Sequence, residues 1–168
     1  MLDKYNRHSI RLNDYDYSSN GYYFITICTH KKEVLLGEIV NDFIQLSDFG
    51  EIAYKNLLKI SEHYINVKLD KFVIMPNHVH IIFIIENNNF LENNKNERRK
   101  MLIPRIVGYY KMNTAKEINI LRNIKSQAFW QRNYYERIIR TEEELNYTRK
   151  YIEENPIKWV LDKENPFN

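Results

Sequence analysis

The sequence predicts an α+β protein, an antiparallel sheet with helices packed mainly on one face. Three observations carry this expectation. Several short segments are dense in aromatic and β-branched residues, as pleated, half-buried strands require. Two of them, 65–75 and 78–85, meet at the turn Met75-Pro76-Asn77, where proline interrupts the extended run. The order along the chain is strands, helix, two strands, helix, strand, helix, which suits layered α+β architectures. The 168 residues, 43% of them hydrophobic, can bury one sizeable core and are too few for two ordinary domains. Residues 1–168 are therefore read as one domain, with an N-terminal arm at 1–20 and a variable loop at 86–100.

Residues 22–29, Tyr-Tyr-Phe-Ile-Thr-Ile-Cys-Thr, form the first expected strand, after a turn at Asn20-Gly21. Residues 34–40 and 43–46 are two shorter strands around Asn41-Asp42. Ser47 or Asp48 can cap a helix to about Ser61, with Ile52, Leu57, Leu58 and Ile60 as its apolar face. In the next pair of strands, Pro76 cannot donate to a ladder and disfavours helix in the residue before it. The second of that pair, His78-Val-His-Ile-Ile-Phe-Ile-Ile, becomes continuously apolar, as a strand covered on both faces does. Residues 86–100, rich in Asn and charge, read as a mobile loop. A helix follows from Ile103 to about Arg122, weakened at Gly108 and carrying Lys111 and Lys116 on an exposed side. Residues 128–139 read as extended, with Trp130, Arg132, Tyr134, Glu136 and Ile138 on one face. Thr141-Glu-Glu-Glu144 then matches a helix capping box, and Asn155-Pro156 ends that helix.

Composition excludes several function classes. No segment approaches the roughly 18 apolar residues of a membrane span, and the polar start lacks a secretory signal's apolar stretch, so the expectation is a cytoplasmic protein. One cysteine, Cys28, leaves no intramolecular disulfide and no multi-cysteine zinc site. The net charge of +3 is unevenly spread: residues 95–140 carry twelve Lys/Arg against three Glu, a local +9, and the rest sums to −6. Cations interleaved with aromatic rings are what single-stranded nucleic acids need, for phosphates and unpaired bases respectively. A solvated basic helix face gives the same composition.

His78 and His80, two apart on a strand, project to one face roughly 7 Å apart at the backbone for a rise of about 3.3 Å per residue. They could converge on one ion or be strand histidines with no ligand. Tyr147, Tyr151 and Asn155 recur every four residues along one helix stripe, so a phenol and an amide oxygen can face the same point. With thirteen tyrosines in the chain, ordinary packing explains that stripe equally well.

Met75-Pro-Asn-His-Val-His80, Phe129-Trp-Gln-Arg-Asn-Tyr-Tyr-Glu-Arg-Ile-Ile-Arg140 and Tyr151-Ile-Glu-Glu-Asn-Pro156 together resemble the three signature blocks of the REP-associated tyrosine transposases, within the single-tyrosine HUH transposases. Asn13-Asp-Tyr-Asp-Tyr and the segment Tyr22 to His30 are also similar, so the resemblance covers most of the chain. It implies a ferredoxin-like HUH endonuclease fold, a four- or five-stranded antiparallel sheet with the histidine pair on a central strand. It further implies that His78 and His80 are metal ligands, that Asn155 takes the third ligand place, and that Tyr151 is the nucleophile.

The implied activity is metal-dependent cleavage and rejoining of single-stranded DNA, often beside hairpins of palindromic repeats, through a 5′-phosphotyrosine intermediate. Mg²⁺ or Mn²⁺ suits two imidazoles and an amide oxygen with open positions left for phosphate and water. Arg98, Arg99, Lys100, Arg105, Lys111, Lys116, Trp130 and Arg132 are the expected DNA contacts, with Asn6, Arg7 and Arg11 of the arm as further candidates. Either a monomer or a homodimer is compatible with these residues. The alternatives are a non-catalytic nucleic-acid-binding α+β module and a metal-dependent hydrolase of small phosphates.

Overall fold

The structure, a computed structural model, describes residues 15–86, 101–162 and 165–166. Its elements are β1 (Gly21–Cys28), β2 (Gly37–Val40), β3 (Phe43–Leu46), α1 (Asp48–His63), β4 (Val67–Met75), β5 (His78–Ile85), α2 (Leu102–Leu121), β6 (Tyr135–Ile139) and α3 (Glu142–Glu154). Four strands make one antiparallel sheet in the order β4-β5-β1-β6, and β2-β3 is a separate hairpin. Without that hairpin the chain runs β1-α1-β4-β5-α2-β6, the split βαβ arrangement of ferredoxin-like proteins. The fold class is α+β, with β5 and β1 at the centre of the sheet.

Alternation along the central strands sorts their side chains into two layers. Tyr23, Ile25 and Ile27 of β1 join Val79, Ile81, Phe83 and Ile85 of β5 in the main core, under Ala53, Leu57 and Ile60 of α1 and Ile103, Ile106, Val107, Tyr110 and Ile118 of α2. On the opposite face Phe24, Ile82 and Ile139 pack with Leu145 and Ile152 of α3. Helices therefore cover both faces, two on one side and α3 on the other.

Local chemistry explains the element ends. Asn41 and Asp42 both have positive φ, 50° and 66°, as the tight turn between β2 and β3 demands. Ser47 caps α1: its hydroxyl accepts from the Gly50 amide and donates to the Leu35 carbonyl. A side chain at Gly50 would collide with the Leu36 carbonyl, so α1 begins against that backbone. Leu58, expected on the buried face, is 42% exposed, because it lies about 100° around the helix from the buried Leu57. α2 lacks a side-chain cap of its own, and the Leu102 and Ile103 amides donate instead to Ser18 Oγ and the Tyr17 carbonyl.

The segment 128–139 departs from simple extension. Only Tyr135–Ile139 forms a ladder with β1, while Trp130 makes an isolated bridge to Thr29. The adjacent residues Phe129 and Trp130 are both buried, so strict alternation fails at that bridge. In α3, Thr141 Oγ1 accepts from the Glu144 amide, and Glu144 Oε2 reaches back to the Arg140 amide, one residue earlier than a standard box. Such a cap contributes about 1 kcal/mol.

α3 is held on both flanks. Arg149 makes a bidentate pair with Asp70 (2.7 and 2.6 Å), where a β-bulge interrupts the β4 register. On the other side Arg137 of β6 donates to Thr148 Oγ1 and pairs with Glu144.

Candidate active site

His78 and His80 leave β5 on the α3 side and are both buried, their Nε2 atoms 3.0 Å apart. Each ring is held at its other nitrogen. Asn77 donates from Nδ2 to the Lys32 carbonyl (3.1 Å), which turns its Oδ1 toward His78 Nδ1 at 2.9 Å. That oxygen can only accept, so His78 carries its proton on Nδ1 and presents a lone pair at Nε2. His80 Nδ1 lies 2.8 Å from Thr26 Oγ1, its cross-strand neighbour on β1. A hydroxyl donates or accepts, so Thr26 accommodates either tautomer of His80. Phe24 stacks on the His80 ring at 5.3 Å between centroids.

The third contributor is α3. Tyr151 Oη lies 3.3 Å from His80 Nε2, and the Tyr151 ring packs edge-on against Phe24. Along the predicted stripe the environment changes by turn: Tyr147 is 71% exposed, Tyr151 half-buried and Asn155 buried. Asn155 Oδ1 meets no hydrogen-bond partner among the described residues, and a buried acceptor left unmatched is costly unless something else satisfies it. Beyond α3, Asp162 brings a buried carboxylate to the same place, with Oδ2 3.9 Å from His78 Nε2. Ligand atoms of His78, His80 and Asp162 all lie within 4.8 Å of one another.

These donors fit a hard divalent cation. In an octahedral site with bonds near 2.1 Å, adjacent ligands sit about 3.0 Å apart and opposite ones about 4.2 Å. The two imidazole nitrogens match the first spacing, and the carboxylate oxygen, 3.9 Å from His78 Nε2, falls between the two. An imidazole with a fixed outward lone pair and an unpartnered amide oxygen are the groups such an ion would use.

The expected DNA contacts are distributed differently. Arg105 and Lys116 are exposed on α2, which covers the sheet face opposite the histidines, and Arg132 is exposed after the Trp130 bridge. Lys111 is instead an internal brace: Nζ donates to the Gln131 and Arg132 carbonyls (2.6 and 3.0 Å), and burial lowers its pKa to about 8. Trp130 is 6% exposed and packs against Phe129 and Tyr110. It is a core ring without an open face for a base, a correction to its expected stacking role. Arg98, Arg99 and Lys100, the arm residues Asn6, Arg7 and Arg11, and nearly all of the expected 86–100 loop lie outside the described residues. Sequence reasoning missed Thr26, Asn77 and Asp162. Of these only Asn77 carried a signal, its place in the turn before the histidine pair.

Residues 16–155 match the family described as IS200-like transposases. The chain belongs to that family. Membership makes it a DNA-processing enzyme of the transposase class. This IS200-like transposase is 40% identical over 182 residues to a Haemophilus influenzae protein described as uncharacterized, an alignment covering 97% of this chain and 98% of that protein. Its fold is shared with a solved REP-associated tyrosine transposase bound to a REP hairpin, with a TM-score of 0.60 and 16% identity, over 96% of this chain and 77% of that one. No helix among the described residues is long and apolar enough to cross a membrane.

Proposed function

We propose that this transposase is a metal-dependent single-stranded DNA endonuclease and strand transferase whose nucleophile is Tyr151. The observation that carries the reading is the phenol oxygen 3.3 Å from His80 Nε2, beside the paired imidazoles. His78, His80 and Asn155 would hold Mg²⁺ or Mn²⁺. The cation would polarise a non-bridging phosphate oxygen and offset charge as the phosphorane forms.

Tyr151 Oη attacks the phosphorus and the 3′-oxygen leaves as a hydroxyl, the phenol proton being lost and a proton gained by the leaving group. The product is a 5′-phosphotyrosine, whose ester conserves the bond so that another 3′-hydroxyl can reverse the step without ATP. Thr26 and Asn77 orient the imidazoles, and Phe24 packs against both the His80 and Tyr151 rings, which also touch each other, to limit their movement. The phenol reaches the imidazoles within one chain, an arrangement compatible with either a monomer or a homodimer.

Substrate choice follows from family and charge. A protein of the same fold is bound to a REP hairpin, which supports single strands flanked by hairpins as the substrate. Exposed Arg105, Lys116 and Arg132, with Arg98, Arg99 and Lys100 from outside the described residues, are proposed as phosphate contacts.

The test incubates the protein with labelled, hairpin-flanked single-stranded DNA and Mn²⁺. A covalent protein–DNA adduct is expected from the wild type, and Tyr151→Phe should abolish it while retaining DNA affinity. Wild-type binding without an adduct would favour a non-catalytic module; turnover of nucleotides without an adduct would favour a small-phosphate hydrolase.

A further inference from the structure

We infer that Asp162 is an anionic ligand of the ion site, so that the turn after α3 sets metal affinity and preference together with the histidine strand. The inference rests on the metal-dependent reading above and adds to it a residue outside the histidine pair and the tyrosine helix.

The carboxylate is placed by a built turn. After α3 the chain folds through a short 3-10 segment, Trp159–Leu161. The Asp162 amide donates to the Trp159 carbonyl, the Asn165 amide to the Asp162 carbonyl, and Asn165 Nδ2 again to the Trp159 carbonyl, each at 3.0 Å. The Trp159 ring lies 6.0 Å from that of His78 between centroids. This bracing brings in a side chain only 4% exposed, with Oδ2 3.9 Å from His78 Nε2. A carboxylate buried beside imidazoles gains most when a cation lies between them, since its lost hydration is then replaced by direct coordination.

The chemistry of the set follows. Two imidazoles and an amide leave a divalent ion its full charge, whereas a carboxylate halves the net charge and raises affinity. Two His and one carboxylate with open positions form the donor set that favours Mn²⁺ or Fe²⁺ over Mg²⁺, because nitrogen donors suit the later ions better.

Mn²⁺ binding to the full chain without DNA, followed by calorimetry and by loss of the free-ion paramagnetic resonance signal, tests this independently of cleavage. Asp162→Asn keeps shape and removes charge, and should weaken Mn²⁺ at least about tenfold; His80→Ala should weaken it at least as much. Asp162→Cys should shift preference from Mn²⁺ toward Cd²⁺, because a thiolate is a soft ligand. Thermal melting of the metal-free variants checks folding, and the Cys variant decides if the Asn variant does not fold. Asn and Cys variants that bind Mn²⁺ and Cd²⁺ within twofold of wild type, while His80→Ala loses Mn²⁺, would overturn the role of Asp162 and leave the metal reading intact. A wild type that binds no Mn²⁺ would overturn both.

Discussion

The two faces of the sheet are made from alternate residues of the same strands, and they do different work. Beneath α1 and α2, β5 contributes Val79, Ile81, Phe83 and Ile85, an aliphatic and aromatic layer without a titratable group. Beneath α3 it contributes His78 and His80 and, further along, the buried Ile82 of a smaller apolar cluster, with Thr26 from β1 and Tyr151 from the helix beside the imidazoles. Burial is nearly complete on both sides. The difference teaches that burial around the histidines serves orientation, because each imidazole is fixed by a specific partner, whereas on the dry face it supplies stability. One strand can do both because adjacent side chains point to opposite layers.

If the division holds, damage to the dry face should cost stability and damage to the polar face should cost ligand binding. The largest effect is expected for Phe83→Ala, which empties a fully buried site on the dry face. It should destabilise the protein by about 3–5 kcal/mol in chemical denaturation, with Mn²⁺ affinity of the folded fraction unchanged. A large loss of affinity would show that the faces are not separable. Asn77→Ala tests the other side: without the acceptor at His78 Nδ1, Mn²⁺ binding measured by calorimetry should weaken by about 10–100-fold. Its stability loss should be about 1–3 kcal/mol, because the buried Asn77 amide holds both the Lys32 carbonyl and His78 Nδ1.

The smallest effect concerns Lys111, which braces residues 131–132 below Trp130. Its pKa is lowered by burial from the ordinary 10.5 to about 8, so between those values the unfolded chain binds more protons than the folded one. Stability from this group therefore rises as pH increases through about 8 toward 10.5, and the burial cost of the charge is fully present below that window. A neutral amine still has two N–H groups for the two carbonyls. The melting temperature of wild type relative to Lys111→Met should accordingly rise between pH 7.5 and 9.5, on the order of 2 °C; a flat difference would mean that the charge is not strained.

Much of this division was legible in the sequence, and its gaps have physical causes. Strand period placed the histidine pair on one face of β5, and the Ser47 and Thr141 caps marked where α1 and α3 begin. The block 128–134 misled because an aromatic ring beside cations has the same local pattern whether it stacks on a base or fills a core; the Trp130 bridge to Thr29 decides between them, and that pairing is non-local. Lys111 misled similarly, since helical period marks an exposed side but not the carbonyls of a returning chain. Asp162 had no sequence signal, as its position beside His78 depends on how the turn after α3 closes.

Asp70 stands outside the β4–β5 register, between Leu69, opposite Phe83, and Lys71, opposite Ile82. This single surplus residue acts as a mooring post: the neighbouring positions keep the ladder, while the surplus one is at liberty to hold Arg149, two residues before Tyr151. A bidentate seat for the tyrosine helix is thereby given to a residue with no partner in the ladder, beside Lys71 and Val73, which pair with β5 and also meet α3 or its cluster. Loss of one amino acid at the bulge would remove this mooring and leave the helix to Lys71 and Val73 of β4 and to Arg137 of β6.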